Sequence, residues 1–161
     1  MSVLSGPLRK SLEAAVKAAR RAAEKGSRAA LKALAVDEAD PHAGMSAEQK
    51  KLRNRLRVHG RQLGDERDER RGTQSIDRIV SECAYEHWHR LLFARFLAEN
   101  ALLIEPENNV AISLSECRDL ARGRRVDPLV LASSFAERML PQIFRTGDPV
   151  LEVQQIGRAH V

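Results

Sequence analysis

The sequence predicts an all-α protein, an irregular bundle of helices around one long central helix over about 73–103. Apolar residues recur at helical spacing through most of the chain. Pairs of helix-starting residues precede the later helical segments. Four of the six aromatic residues fall in one run, AYEHWHRLLFARFLAEN, over 84–100. The 161 residues suffice for one domain with a modest core.

Charge is distributed unevenly along the chain. Residues 1–72 carry 17 basic and 10 acidic side chains, whereas residues 73–161 carry 10 and 12. This asymmetry predicts a basic helical N-terminal segment over 1–72, with a linker near 37–46, and a helical core region over 73–155. A basic segment favours a polyanion or an acidic partner surface. The alternative is a solvated helical surface.

Two helices are predicted in the basic segment. Apolar residues follow helical spacing over 8–36, and Gly26 marks a weak point or a break. After the turn-rich linker VDEADPHAGMS, Ser46 and Gln49 form a capping-box pattern that opens the second helix. This helix is predicted over 47–71, with a thin apolar stripe of Leu52, Leu56 and Leu63.

The other faces of the second helix carry six cations. Clustered Lys and Arg residues neutralise DNA phosphates and supply affinity without base specificity. No aromatic residue is interleaved, so stacking on single strands is not predicted. The alternative is a solvated face or intramolecular pairing. The candidate DNA-binding residues are Lys50, Lys51, Arg53, Arg55, Arg57 and Arg61.

The predicted central helix begins near Thr73 or Ser75. Its second half is apolar nearly all round. Trp88, Leu92 and Phe96 form one row at i, i+4 and i+8, and a second row consists of Leu91, Ala94, Ala98 and Leu102. Such a helix must be covered on most sides. Since the neighbouring helices are Ala-rich or short, we expect one side to stay incompletely covered and to pack on another domain. The candidate domain-packing residues are Tyr85, Trp88, Leu92, Phe93 and Phe96.

The segments after the central helix are short. Val110, Ala111 and Ile112 indicate a brief strand. Ser113 or Ser115 caps a small fourth helix that stops at Gly123, and Glu116, three residues after Ser113, completes a capping-box pattern. An N-cap and N1 pair then starts a fifth helix that ends or kinks at Pro141. That pair is Asp127–Pro128, and Asp148–Pro149 repeats the signal.

The cysteines and histidines indicate no metal or catalytic site. Cys83 and Cys117 show no disulfide framework spacing, so we interpret them as reduced in a cytoplasmic protein. Cys83 and His87 share a helix face, but His89 points elsewhere and no fourth metal ligand is present. Glu86 with His87 lacks a nucleophile and an oxyanion donor. Glu86, Arg90 and Arg95 are interpreted as ion pairs to neighbouring helices.

The last six residues, IGRAHV, match the translation of a widely used sequencing-library adapter. We therefore expect residues 156–161 to be a non-native tail on a truncated gene fragment, to be excluded from fold reasoning.

A family resemblance rests on the run ECAYEHWHRLLFARFLAEN, the helix SLSECRDLA and the segment FAERMLPQIFRTGDPVLEV. Together they resemble the N-terminal helical region of large bacterial adenine-specific DNA methyltransferases. These are the enzymes of DISARM- and BREX-type phage defence and of fused type II restriction–modification systems. The resemblance covers roughly 8–154 and is strongest over 73–154.

This resemblance implies a role outside the chemistry. Such enzymes bind S-adenosylmethionine and the flipped adenine in a later domain, with a Gly-rich turn and an Asn/Asp-Pro-Pro-Tyr/Phe motif. The present sequence has neither a Pro-Pro pair nor a G-x-G loop. We therefore expect no catalytic or cofactor-binding residue in this chain, S-adenosylmethionine in the full-length enzyme, and DNA and the catalytic domain as partners. The alternative is a free-standing basic helical protein that binds DNA or a partner. No membrane association is expected, because no window approaches the ~20 apolar residues of a membrane span.

Overall fold

The computed structural model describes residues 5–145 and 147–153, so the tail predicted over 156–161 lies outside the described residues. The mainly helical class is confirmed. In chain order the elements are helix α1 (Gly6–Ala33), α2 (Ala47–Leu63), α3 (Asp77–Glu99), strands β1 (Leu103–Glu105) and β2 (Val110–Ile112), α4 (Leu114–Arg124), α5 (Pro128–Met139) and a 3-10 helix (Pro149–Glu152).

The chain divides into two compact units. The first unit contains the residues up to 85 together with those from 149 onward, and the second contains residues 86–148. α3 contributes to both: Ile79, Val80 and Cys83 are buried in the core of the first unit. Ala94, Leu97 and Ala98 are buried in the core of the second.

α1 is the longest helix of the described chain, at 28 residues. It runs through Gly26 without a break, the second of the two alternatives predicted there. Its last turns pack into the core of the first unit through Ala30 and Leu31. Its first four turns are exposed, and the exposed residues include the apolar row of Leu8, Leu12 and Val16.

α2 begins as predicted and ends earlier. The hydroxyl of Ser46 accepts a hydrogen bond from the Gln49 amide at 3.2 Å, and the Gln49 side chain accepts one from the Ser46 amide at 2.9 Å. The helix stops at Gly64, whose φ of 104° lies in the left-handed region that suits a glycine C-cap. The predicted continuation to residue 71 is therefore wrong.

The N-terminus of α3 is capped from a distant part of the sequence. Residues 66–68 pair with residues 73–75 in a short antiparallel ribbon. The amide of Asp68 donates to the carbonyl of Thr73, and the amide of Ser75 donates to the carbonyl of Glu66. The buried carboxylate of Asp65 then accepts hydrogen bonds from the amides of Arg78 and Ile79 at 2.9 and 3.0 Å. Amides in the first turn of a helix have no hydrogen-bond acceptor within the helix itself, so Asp65 supplies one. This remote cap makes α3 begin at Asp77, not at the predicted Thr73 or Ser75.

The C-terminal end of α3 is also shorter than predicted. The helix ends at Glu99, and Ala101 adopts a positive φ of 53°. Leu103, predicted as the last helical residue, instead pairs with Ile112 in the hairpin of β1 and β2. The predicted strand at Val110–Ile112 is confirmed, whereas its partner strand was not predicted.

The second unit is completed by two helices whose predicted starts are confirmed. Ser113 and Glu116 form the capping box of α4. The carboxylate of Asp127 accepts from the first amides of α5, with Pro128 at the first helical position. α4 passes the predicted stop at Gly123 and ends with Arg125 in the left-handed conformation. Their buried faces pack around Phe135 and Phe144.

Candidate functional site

Two of the six predicted DNA-binding cations are buried inside the first unit. Arg53 is only 5% exposed. Its Nε donates to the carbonyl of Ala35 at 2.8 Å, and its Nη2 donates to the carbonyls of Glu38 and Ala39 at 2.7 and 3.0 Å. The guanidinium thus satisfies carbonyls in the linker after α1, which have no helical partner.

Arg57 lies one turn further along the same face of α2 and is 7% exposed. Its Nη1 donates to Val36 O at 3.0 Å and to Glu38 O, and its Nη2 donates to Gly72 O at 2.7 Å. Burial lowers the pKa of both guanidiniums from the ordinary value. The assignment of Arg53 and Arg57 to the DNA-binding surface is therefore corrected: they tie two loops to α2.

The other four predicted cations are exposed. Lys50 and Lys51 lie in the first two turns of α2. Arg55 forms an ion pair with Glu152 at 2.5 Å. The Nη1 of Arg61 donates to the side-chain oxygen of Gln74 at 3.0 Å. Whether these exposed side chains contact DNA stays a prediction.

The apolar side chains of α3 divide between the core and the surface. Leu92 and Phe96, one turn apart, are 49% and 52% exposed, and Tyr85 is 56% exposed. Trp88 and Phe93 are half-buried. The expectation that one side of this helix is incompletely covered is confirmed at Tyr85, Leu92 and Phe96.

Phe93 does not belong to the exposed side. It packs against the core of the second unit, with its ring centroid 6.0 Å from that of Phe144. Its assignment as a domain-packing residue is not tested by this contact and stays a prediction. The exposed large apolar side chains of α3 in the second unit are Leu91, Leu92 and Phe96. Leu92 and Phe96, one turn apart, are hereafter the α3 row.

Charged side chains of α3 form the expected ion pairs only in part. Arg90 reaches Glu137 of α5 at 2.5 Å, and the buried Glu86 accepts from Arg145 at 2.9 Å. Arg95 instead pairs within its own helix, with Glu99. Both cysteines are free and buried. Burial raises the pKa of the Cys117 thiol, and the Cys83 thiol donates to Val150 O at 3.7 Å.

Arg67 and Gln74, which sequence reasoning did not select, lie in the ribbon between α2 and α3, with Arg67 exposed and Gln74 buried. They form an isolated antiparallel bridge in the ribbon that precedes α3. The segment DERDERR alternates charge, so the sequence pattern gives no signal that one of its arginines lies beside α2.

Comparison with known proteins adds no relative: no family model, curated protein or solved structure matches this chain. Among the described helices, none has the length and apolarity required to cross a bilayer.

Proposed function

We propose that this chain is a non-catalytic helical module of an adenine-specific, S-adenosylmethionine-dependent DNA methyltransferase of a restriction or phage-defence system. In this proposal the module packs on the catalytic domain, which holds the cofactor, and its basic unit contacts the DNA backbone. The protein acts in the cytoplasm. The family assignment rests on the resemblance of 73–154, and the α3 row is the observation that carries the packing role.

The α3 row has the properties of a docking surface. Leu92 and Phe96 lie on adjacent turns of a helix that is otherwise anchored in a core through Ala94, Leu97 and Ala98. Fully burying a large apolar side chain contributes ~1.5–3 kcal/mol. As each of the two is about half exposed, covering both by a domain contributes roughly 2 kcal/mol.

The first test reads the native gene. The proposal expects an open reading frame that continues past the present chain into a Rossmann-like domain with a Gly-rich turn and an Asn/Asp-Pro-Pro-Tyr/Phe motif. A native stop codon directly after the segment encoding 149–153 contradicts the proposal.

The second test measures docking. The catalytic domain, expressed separately, should copurify with this chain, and the double substitution Leu92→Asp, Phe96→Asp should abolish the copurification. Val130→Asp is the matched control, because Val130 is 48% exposed on α5 of the same unit. Equal retention of both variants refutes docking through the α3 row.

A second candidate is a free-standing basic helical protein that binds DNA or a partner. The exposed cations of α2 and the exposed apolar row of α1 (Leu8, Leu12 and Val16) favour it. It predicts tight DNA binding by this chain alone, together with a native gene that encodes no methyltransferase motif.

A further inference from the structure

The ribbon before α3 places a second arginine beside α2. Residues 67 and 74 face each other without exchanging hydrogen bonds, because the bonds run from Asp68 N to Thr73 O and from Ser75 N to Glu66 O. In such a pair the Cα atoms are ~4.5 Å apart and the two side chains lie close together. They also lie on the same face of the ribbon.

The side chain of Gln74 fixes which face this is. It is buried, its Nε2 donates to the carbonyl of Arg57 at 3.1 Å, and its oxygen accepts from Arg61 at 3.0 Å. The Gln74 side chain is thus directed at α2. Arg67, its bridge partner, lies on the same face of the ribbon, and the charges of Arg67 and Arg61 both act on Arg57 of α2.

The local charge at this position is not balanced by ion pairs. Within the described residues, Arg61 and Arg67 are exposed and neither has a carboxylate within ion-pair distance. The carboxylate of Asp65 is used to cap α3. That of Asp68 accepts from the amides of Arg70 and Arg71.

Arg57 is buried one turn before Arg61 in α2. Burial is the main cause that lowers its pKa, the nearby charges of Arg53, Arg67 and Arg61 lower it further, and the carboxylate of Asp37 partly opposes them. An anion bound here would offset this repulsion. Guanidinium groups match phosphate geometry by donating two parallel hydrogen bonds.

We propose that Arg61 and Arg67, aligned by Gln74, form a phosphate clamp that grips the backbone of duplex DNA. The clamp rests on the DNA contact of the proposed function and assigns that contact to a different part of the first unit. Phosphate contact passes from the predicted row on α2 to a junction between α2 and the ribbon, where Gln74 holds Arg61 in place before DNA binds. Because only the backbone is gripped, the clamp carries no base specificity.

The test is a salt titration of the full chain with a fluorescently labelled duplex. Each phosphate contact contributes ~0.9 to the slope of log affinity against log salt concentration. Arg61→Ala with Arg67→Ala should therefore flatten the slope by roughly 2, and should weaken binding equally for duplexes of unrelated sequence. Arg67→Ala alone should flatten it by roughly 1. Among the described residues the Arg67 side chain has no hydrogen-bond partner, so that variant removes charge alone.

Arg118→Ala with Arg122→Ala is the matched control, because it removes two guanidinium groups from exposed positions of α4, outside the basic unit. The clamp predicts that this pair leaves the slope close to that of the unsubstituted chain. Equal flattening by the two double variants, or an unchanged slope in Arg67→Ala, overturns the clamp while leaving DNA contact by the module intact. If the unsubstituted chain does not bind duplex DNA at low salt, the DNA contact of the proposed function fails together with the clamp. If inorganic tripolyphosphate binds the clamp but DNA does not, the ligand is a free polyphosphate, and the DNA assignment is overturned.

Discussion

Replacing Arg57 by Met tests the conclusion that this arginine is structural. The substitution keeps the apolar stem and removes the donors to Val36 O, Glu38 O and Gly72 O. A hydrogen bond to a charged group contributes ~1.5–3 kcal/mol, and an acceptor left buried without a partner costs ~1–3 kcal/mol. Opposing this, the substitution removes the cost of burying a guanidinium, which is large enough to lower its pKa. Glu38 O keeps the hydrogen bond from Arg53 Nη2. With about 1 kcal/mol net for each of Val36 O and Gly72 O, we expect Arg57→Met to reduce the free energy of unfolding by roughly 1–3 kcal/mol.

The loss is measured by urea unfolding followed by far-UV circular dichroism. Trp88, the single tryptophan, lies in the second unit. A circular dichroism transition that the fluorescence of Trp88 does not follow therefore belongs to the first unit. Lys51→Met, an exposed position of the same helix, is the control and should change the free energy by less than ~0.5 kcal/mol. Arg57→Lys should resemble Arg57→Met, because a single ammonium cannot reach three carbonyls in a planar fork. If Arg57→Met is no less stable than Lys51→Met, the structural role is refuted.

Two further predictions concern local contacts. Gly60→Ala should destabilise the first unit by ~1–3 kcal/mol in urea unfolding, because its Cβ would lie 2.9 Å from the Asp65 carboxylate that caps α3. Gly123→Ala in α4 is the control, because its Cβ would meet nothing within 4 Å, and it should raise the free energy of unfolding by ~0.5–1 kcal/mol. If both substitutions destabilise the protein, the argument from the Asp65 cap is refuted. The hydrogen bond from the Asn108 amide lowers the pKa of Glu105. The stability that the ionised Glu105 carboxylate contributes is therefore fully present above pH 4.5, the ordinary pKa of a Glu side chain. It is lost as the pH falls through the lower pKa of Glu105 in the folded state. When urea unfolding is repeated at decreasing pH, the midpoint of Glu105→Gln should lack this part of the pH dependence. Identical pH profiles for Glu105→Gln and the unsubstituted chain contradict this prediction.

The sequence predicted those features that depend on neighbouring residues. The capping boxes at Ser46 and Ser113 and the N-cap at Asp127 are each complete within a few residues. A short hydrogen bond of this kind forms in any tertiary context that permits the helix. The starts of α2, α4 and α5 were therefore predictable.

Features that depend on distant residues were not predictable in this way. The start of α3 depends on Asp65, twelve residues before the helix, which reads as part of a charged run. Leu103 fits a continuing helix until β2 supplies its partner, Ile112. Arg53 and Arg57 share the periodicity of surface cations, and only the path of the linker over α2 makes them buried donors.

The central claim, that this chain is a module of a DNA adenine methyltransferase, is tested most directly by measuring N6-methyladenine. The complete native gene would be expressed in a host that lacks adenine methylation, and genomic nucleosides would be quantified by mass spectrometry. The account predicts methylated adenine with the native gene, and a large loss when Leu92 and Phe96 are changed to Asp but not when Val130 is. Absence of methylated adenine from cells that express the complete native protein contradicts the account.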